Sequence, residues 1–276
     1  MIIDCRCRPP TPQFLAIFKS KVFQRVIQRV GPFPLPPSYD KEDINIFLKE
    51  MDEAGVDKAV LTGRNVPLGN IENEHIADLV DKHPNKFIGI GGLDPTNKSH
   101  DALKEADKCI KELKLKGLSM DPGICDPPMR FDDRRLYPIY AKALELGVPM
   151  FLLTGPYAGI DLEQTHPKYI EQVGNDFPRL NLVMSHGCYP YIQETIGVCC
   201  RRRNIFVSPD LYQFLPGSGP LIEAANHFLK DQYLFASAYP LAPLKETVET
   251  FNTLPVKAEV KENLMHKNAE RLLGLA

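Results

Sequence analysis

Eight short apolar runs separated by longer amphipathic stretches predict an α/β protein, a single (β/α)8 TIM barrel in which each parallel strand is followed by a helix. Two further observations favour this closed form. The runs are nearly continuous in apolar residues, as strands covered on both faces are. They are also bounded by Gly, Pro, Asp or Asn, and many of the 25 prolines fall where a strand would hand over to a loop. A doubly wound open sheet is the main rival.

The runs cover 1–4, 59–62, 87–91, 115–120, 148–153, 182–185, 205–208 and 234–236. The first leads straight into Asp4-Cys5-Arg6-Cys7-Arg8. Extended alternation would set Cys5 and Cys7 on one face and Asp4, Arg6 and Arg8 on the other. Segment 11–40 is then an insertion, with a helical piece over 14–30 and the stiff Gly31-Pro32-Phe33-Pro34-Leu35-Pro36-Pro37. It is expected to be either a lid over the barrel mouth or the contact of a homodimer. Helices are expected over 43–54, where Ile44, Phe47, Leu48 and Met51 share a face, and over 73–82, 100–113, 132–146, 168–176, 192–200 and 221–229. Gly55, Gly117 and Gly147 follow such helices and are expected to end them in the left-handed conformation. Residues 257–275 form a closing helix. No linker or internal repeat interrupts the pattern, so 1–276 is expected to be one domain.

Composition narrows the function. With a formal net charge of -2 and a pI near 6.4, the chain lacks the basic stripe of a nucleic-acid partner; Arg201-Arg202-Arg203 suits a solvated helix end. No apolar stretch approaches a membrane span. The opening Met1–Asp4 lacks the charged and apolar regions of a signal peptide, which predicts a cytoplasmic protein. Seven cysteines without a CxxC pair predict thiols, not disulfides.

In a barrel of this kind the chemistry belongs to the residues just past each strand. Those are Cys5, Arg6, Cys7 and Arg8 on the first strand, Arg64 and Asn65 on the second, Asp94 on the third and Asp121 on the fourth. Thr154, His186, Asp210 with Tyr212, and Ala238 with Tyr239 follow on the last four. His186 is the natural proton carrier near neutral pH, with Asp210 or Asp121 as its partner. Both aspartates also suit turns beside proline. Arg6 and Arg64, on neighbouring strands, suit a carboxylate, because each guanidinium presents a planar pair of donors. Arg8 either joins them or lies under the insertion. Each arginine has an alternative as a structural ion pair with Asp4, Asp121 or Asp210. Tyr157, Tyr212 and Tyr239 would form an aromatic wall with hydroxyl handles.

The Asp on strand one, the His-Gly of His186-Gly187 and the Ser237-Ala238-Tyr239-Pro240 turn together resemble the amidohydrolase-related family of TIM-barrel enzymes. The branch resembled contains decarboxylases, hydratases and lactonases of aromatic and muconate type, and the likeness spans the whole chain. It implies a divalent metal at the mouth, held by His-x-His on strand one, a His after strand five and an Asp after strand eight. This sequence has Cys5 and Cys7, Thr154 and Ala238 at those positions; His186 alone matches, at the His after strand six that the family places close to the metal. A hydroxyl is a poor ligand and a methyl group is none. One expectation is therefore an enzyme without the usual metal. In it His186, with Asp210 and Asp121, would move a proton on a small cyclic or aromatic carboxylate held by Arg6, Arg64, Tyr212, Tyr239 and Thr154. It would act as a hydrolase or a carbon–carbon or carbon–oxygen lyase. Two alternatives stay open: a Cys2His zinc enzyme using Cys5, Cys7 and His186, and an inactive barrel that binds a carboxylate.

Overall fold

The structure, a computed structural model, describes residues 1–30, 33–67 and 69–275. Gly31-Pro32 of the proline-rich stretch lie outside the described residues. Seven parallel strands form one sheet in sequence order: β1 (Ile3–Cys7), β2 (Lys58–Thr62), β3 (Phe87–Gly92), β4 (Leu118–Met120), β5 (Met150–Leu153), β6 (Leu182–Ser185) and β7 (Ile205–Ser208). A short antiparallel pair, Asn65–Val66 with Gly69–Asn70, stands beyond β2. From β2 onward the ladder is regular, with Ala59 to Thr62 opposite Phe87 to Ile90 and Leu182 to Ser185 opposite Ile205 to Ser208.

The eighth stave is not the regular strand expected over 234–236. It touches β7 through a bridge from Val207 to Tyr233 and β1 through a bridge from Cys7 to Tyr239. Between those bridges, Cys5 donates its amide to the Phe235 carbonyl at 3.0 Å. The cause is local. The Asp4 carboxylate takes the amides of Ser237 and Arg6, both at 3.0 Å, so neither serves a ladder there. Ala238 then turns to a φ of 65°, which ends extended backbone. The barrel closes, but on an irregular seam.

Alternate residues of the strands divide the core in two. Ile3, Cys5, Val60, Ile88, Val183 and Phe206 pack inside the barrel, whose floor is closed by Ala269 and Leu272 of the C-terminal helix Asn268–Leu273. Leu61, Leu118, Met150 and Leu182 face outward onto helices such as Ile44–Ala54 and Asn73–Lys82. Ile44–Ala54 is capped by Asp43 and ends at Gly55 with φ 69°; Gly147 plays the same part after Tyr137–Leu146. Gly117 does not. Lys114 takes the left-handed position at φ 56°, and Gly117 is needed instead for close approach, since a Cβ there would meet Ile90 at 2.9 Å. The closing helix is also broken up, into Ala258–Glu262, a wider turn Asn263–Lys267 and Asn268–Leu273.

The insertion folds as helices Pro12–Leu15, Lys21–Val30 and, at its end, Pro37–Lys41, and packs on the mouth. Leu15, Ile17 and Phe18 join Leu211, Tyr212 and Leu241 in a third apolar cluster. We refer to this segment, which lies over the mouth, as the lid. Among the described residues, no helix is long and apolar enough to cross a membrane.

Candidate active site

The irregular seam places the charged groups. The register of β1 shifts between Asp4 and Cys7, so simple alternation fails there. Cys5 packs inside the barrel, Cys7 packs outside it, and Arg6 and Arg8 both reach a small void at the mouth. Arg64 joins them from the end of β2. Its backbone lies so near Gly92 that a Cβ on that glycine would sit 2.4 Å from the Arg64 amide nitrogen.

Two of the three guanidiniums have carboxylate partners. Arg64 Nε donates to Asp121 Oδ2 at 2.6 Å, both side chains buried. Arg6 Nε lies 3.4 Å from Asp210 Oδ2. Arg8 has none: it is 4% exposed, and among the described residues neither Nη1 nor Nη2 finds a hydrogen-bond acceptor. Burial, reinforced by Arg64 and Arg6, holds its pKa well below the usual arginine range. An uncompensated buried cation is costly, and the cost falls when an anion arrives.

His186 stands beside this cluster, 14% exposed, on backbone at φ 72°. Asp210 is likewise left-handed, at φ 58°. Strained non-glycine backbone persists where surrounding structure over-determines it, and it gathers at functional sites. Gly155 makes room for the imidazole, since a Cβ there would lie 3.0 Å from His186 Cβ. His186 Nδ1 is 2.7 Å from Asp210 Oδ2, although the two atoms are out of line for a hydrogen bond. Asp210 is steadied on its other oxygen by the Ser208 hydroxyl. Burial first, then the Arg6 charge, push the imidazole pKa down to about 4 against the opposing pull of Asp210. His186 is therefore neutral at physiological pH. With Nδ1 turned to Asp210, Nε2 is the nitrogen left to face a ligand.

Above these groups opens a cavity of about 350 Å³. Its polar lining includes Arg64, His186 and Tyr212, and its apolar lining includes Ile17, Phe23 and Val26 from the lid. Tyr212 stands edge-on to His186 at 5.0 Å between ring centres. Sequence reasoning missed the lid residues Ile17, Phe23 and Val26. In the sequence they lie within the helical piece over 14–30, with nothing to single them out.

The structure thus brings together His186, Asp210, Arg6, Arg64 and Tyr212, and it adds Arg8. It separates the others. Asp121, expected as a partner of His186, is instead engaged by Arg64. Thr154 is used up: its hydroxyl donates to the Ser185 carbonyl at 2.5 Å and accepts from the Cys188 amide at 2.9 Å. Tyr239 points away from the mouth, its hydroxyl bonded to Ser38 and Glu50 and its ring 4.7 Å from Phe47.

The Cys2His set fails with the alternation that suggested it. Cys5 and Cys7 lie on opposite sides of the barrel wall. Burial and the nearby Asp4 hold both thiols well above their usual range. Among the described residues no three His, Cys, Asp or Glu side chains gather to hold a metal ion. The donors present do not fit the divalent metal that the resemblance implies; guanidiniums crowd the mouth instead.

An amidohydrolase family model matches residues 3–275. The chain belongs to the amidohydrolase family. An uncharacterized TIM-barrel protein from Bordetella bronchiseptica is 39% identical, with a TM-score of 0.89 over 99% of this chain and 98% of that one. A 2-amino-3-carboxymuconate-6-semialdehyde decarboxylase from Dictyostelium discoideum is 28% identical over 131 residues, 43% of this chain and 36% of that one. A 2-keto-4-carboxy-3-hexenedioate hydratase from a Sphingobium species is 30% identical over 141 residues, 44% of this chain and 41% of that one. The match to each of these two curated relatives thus spans about two fifths or less of its length.

Proposed function

We propose that this amidohydrolase-family barrel is a lyase or hydrolase that transforms a small organic carboxylate. The substrate carboxylate sits on Arg8 between Arg6 and Arg64, and His186 moves the proton. The observation that carries this is the buried Arg8 guanidinium, unpartnered among the described residues, at the floor of a cavity that His186 also lines. A carboxylate suits that position in charge and in its planar pair of acceptors. The two curated relatives, a decarboxylase and a hydratase, are named for substrates that each carry more than one carboxylate, which supports recognition of a carboxylate but not of a single charge.

His186, neutral above a pH of about 4, serves as a base through Nε2, and Asp210 stabilises the imidazolium formed in the transition state. Negative charge that develops beside the carboxylate meets preorganised guanidiniums in a site partly closed by the lid. Fixed cations are effective in such a place because they need not reorganise. They supply the positive charge that the family pattern assigns to a metal.

The test is turnover of a panel of cyclic and aromatic carboxylates, followed by proton NMR in deuterated buffer after dialysis against a chelator. Conversion or carbon-bound exchange that survives the chelator and is lost in His186→Asn is expected. Turnover that persists in His186→Asn, or that vanishes on chelation and returns with a divalent metal, contradicts the proposal.

A further inference from the structure

We infer that the site is selective for a single negative charge: its ligand is a monocarboxylate with an apolar body, and a second carboxylate is rejected. This rests on the proposed carboxylate site and adds the number of charges that site accepts. Three guanidiniums face two carboxylates at the mouth. Arg64 is matched by Asp121 and Arg6 by Asp210, which leaves the charge of Arg8 unmatched. His186 adds no charge at neutral pH. The void that Arg6, Arg8, Arg64, His186, Phe18 and Ala238 enclose is only about 30 Å³, room for one carboxylate group and little more.

The rest of a ligand must occupy the larger cavity, which shares Arg64, His186, Phe23 and Leu241 with that void. Apart from Arg64 and His186, its titratable lining among the described residues is two tyrosines, Tyr157 and Tyr212. The remaining walls are largely apolar, with Ile17, Phe23, Val26, Ile124, Leu153 and Leu241 prominent. A second carboxylate would lose its water against those side chains with no cation to receive it beyond Arg64, whose charge Asp121 already matches, and such a transfer is strongly unfavourable. Selectivity here comes from what the far wall lacks as much as from what Arg8 supplies.

Isothermal titration at pH 7.5 with three probes tests this: benzoate, isophthalate and monomethyl isophthalate. The last has nearly the bulk of isophthalate but one charge, so it separates charge from size. Benzoate and monomethyl isophthalate are expected to bind at least tenfold more tightly than isophthalate. Arg8→Met, checked for folding by its thermal melt, is expected to weaken benzoate at least tenfold, and Arg8→Lys less. Isophthalate binding within tenfold of monomethyl isophthalate overturns the single-charge inference and leaves the carboxylate site standing. Benzoate affinity unchanged in Arg8→Met, or no binding of any probe, overturns both.

Discussion

Two parts of the barrel wall behave differently. From β2 to β7 the strands pair in unbroken register, their outward residues meet helices, and their ends give Arg64, Asp121, His186 and Asp210 to the charged cluster. At the seam between Tyr233–Tyr239 and β1 the ladder gives way to single bridges, a register shift and an aspartate that takes two backbone amides. Arg6 and Arg8 come from that seam. A regular strand would put them on one face with Asp4, but the shift lets both guanidiniums reach the mouth while Cys5 and Cys7 part. Regular pairing supplies the frame, and the exception to it brings Arg6 and Arg8 to the mouth.

The sharpest way to break this comparison is to remove the proton carrier from the regular side. His186→Asn is expected to lower kcat by about 10²–10⁴, the usual worth of a positioned acid–base group. Benzoate affinity should change only a few-fold, since Arg8 remains. Comparable losses in kcat and in affinity would mean that the imidazole supports binding and not chemistry.

Next come the arginines, which should respond in opposite directions. Arg64→Met strands the buried Asp121 carboxylate and should destabilise the fold by about 3 kcal/mol, the scale for breaking a buried pair. Arg8→Met removes an unmatched buried cation and should raise the stability of the ligand-free protein, by about 1–3 kcal/mol on the scale of an unsatisfied buried polar group. Urea unfolding of both variants checks the signs. If Arg8→Met is as damaging as Arg64→Met, Arg8 has a structural partner and is not held in readiness for a ligand.

The seam aspartate offers a smaller effect. Burial raises the Asp4 pKa to about 6 from an ordinary value near 4. Its contribution to stability is then present below pH 4 and is lost as pH rises through 6. Asp4→Asn keeps an oxygen for the two amides and removes the charge, so it should gain about 3 kcal/mol over wild type at pH 7.5 and little at pH 4, given about 1.4 kcal/mol per pKa unit. His186 acts in the opposite sense. With its pKa lowered to about 4, the stability it allows is present above pH 6.5 and is lost as pH falls towards 4. Asp4→Asn should therefore steepen the fall in stability between pH 6.5 and 4. The same imidazole sets the acid limb of kcat/KM near pH 4; a limb near 6.5 would mean that its surroundings do not depress it.

Much of this architecture was legible in the chain. Continuous apolar runs such as 182–185 and 205–208 coincide with β6 and β7, because a strand buried on both faces has no choice but apolar side chains. His186, Asp210, Arg6 and Arg64 were visible as polar groups just past strands, where a barrel converges. What was not legible was register. Nothing in Asp4-Cys5-Arg6-Cys7-Arg8 announces that the Asp4 side chain will intercept Ser237, more than two hundred residues away, and disturb the alternation. The zinc alternative was lost with it. Nor could the sequence tell that Thr154 spends its hydroxyl on Ser185 and Cys188, or that Tyr239 faces Glu50. A side chain at a strand tip has two ways to turn, and the distant neighbour decides. The free state of Arg8 belongs to the same class, since it depends on a count of acceptors in three dimensions.

The most direct measurement is a crystal structure of the protein with 3-bromobenzoate, in which anomalous scattering from bromine fixes the ring independently of the carboxylate. Both carboxylate oxygens are expected within hydrogen-bond distance of the Arg8 guanidinium, and the bromine among Phe23, Val26 and Leu241. A carboxylate seated elsewhere, with Arg8 bonded to an acceptor of the protein itself, would contradict this.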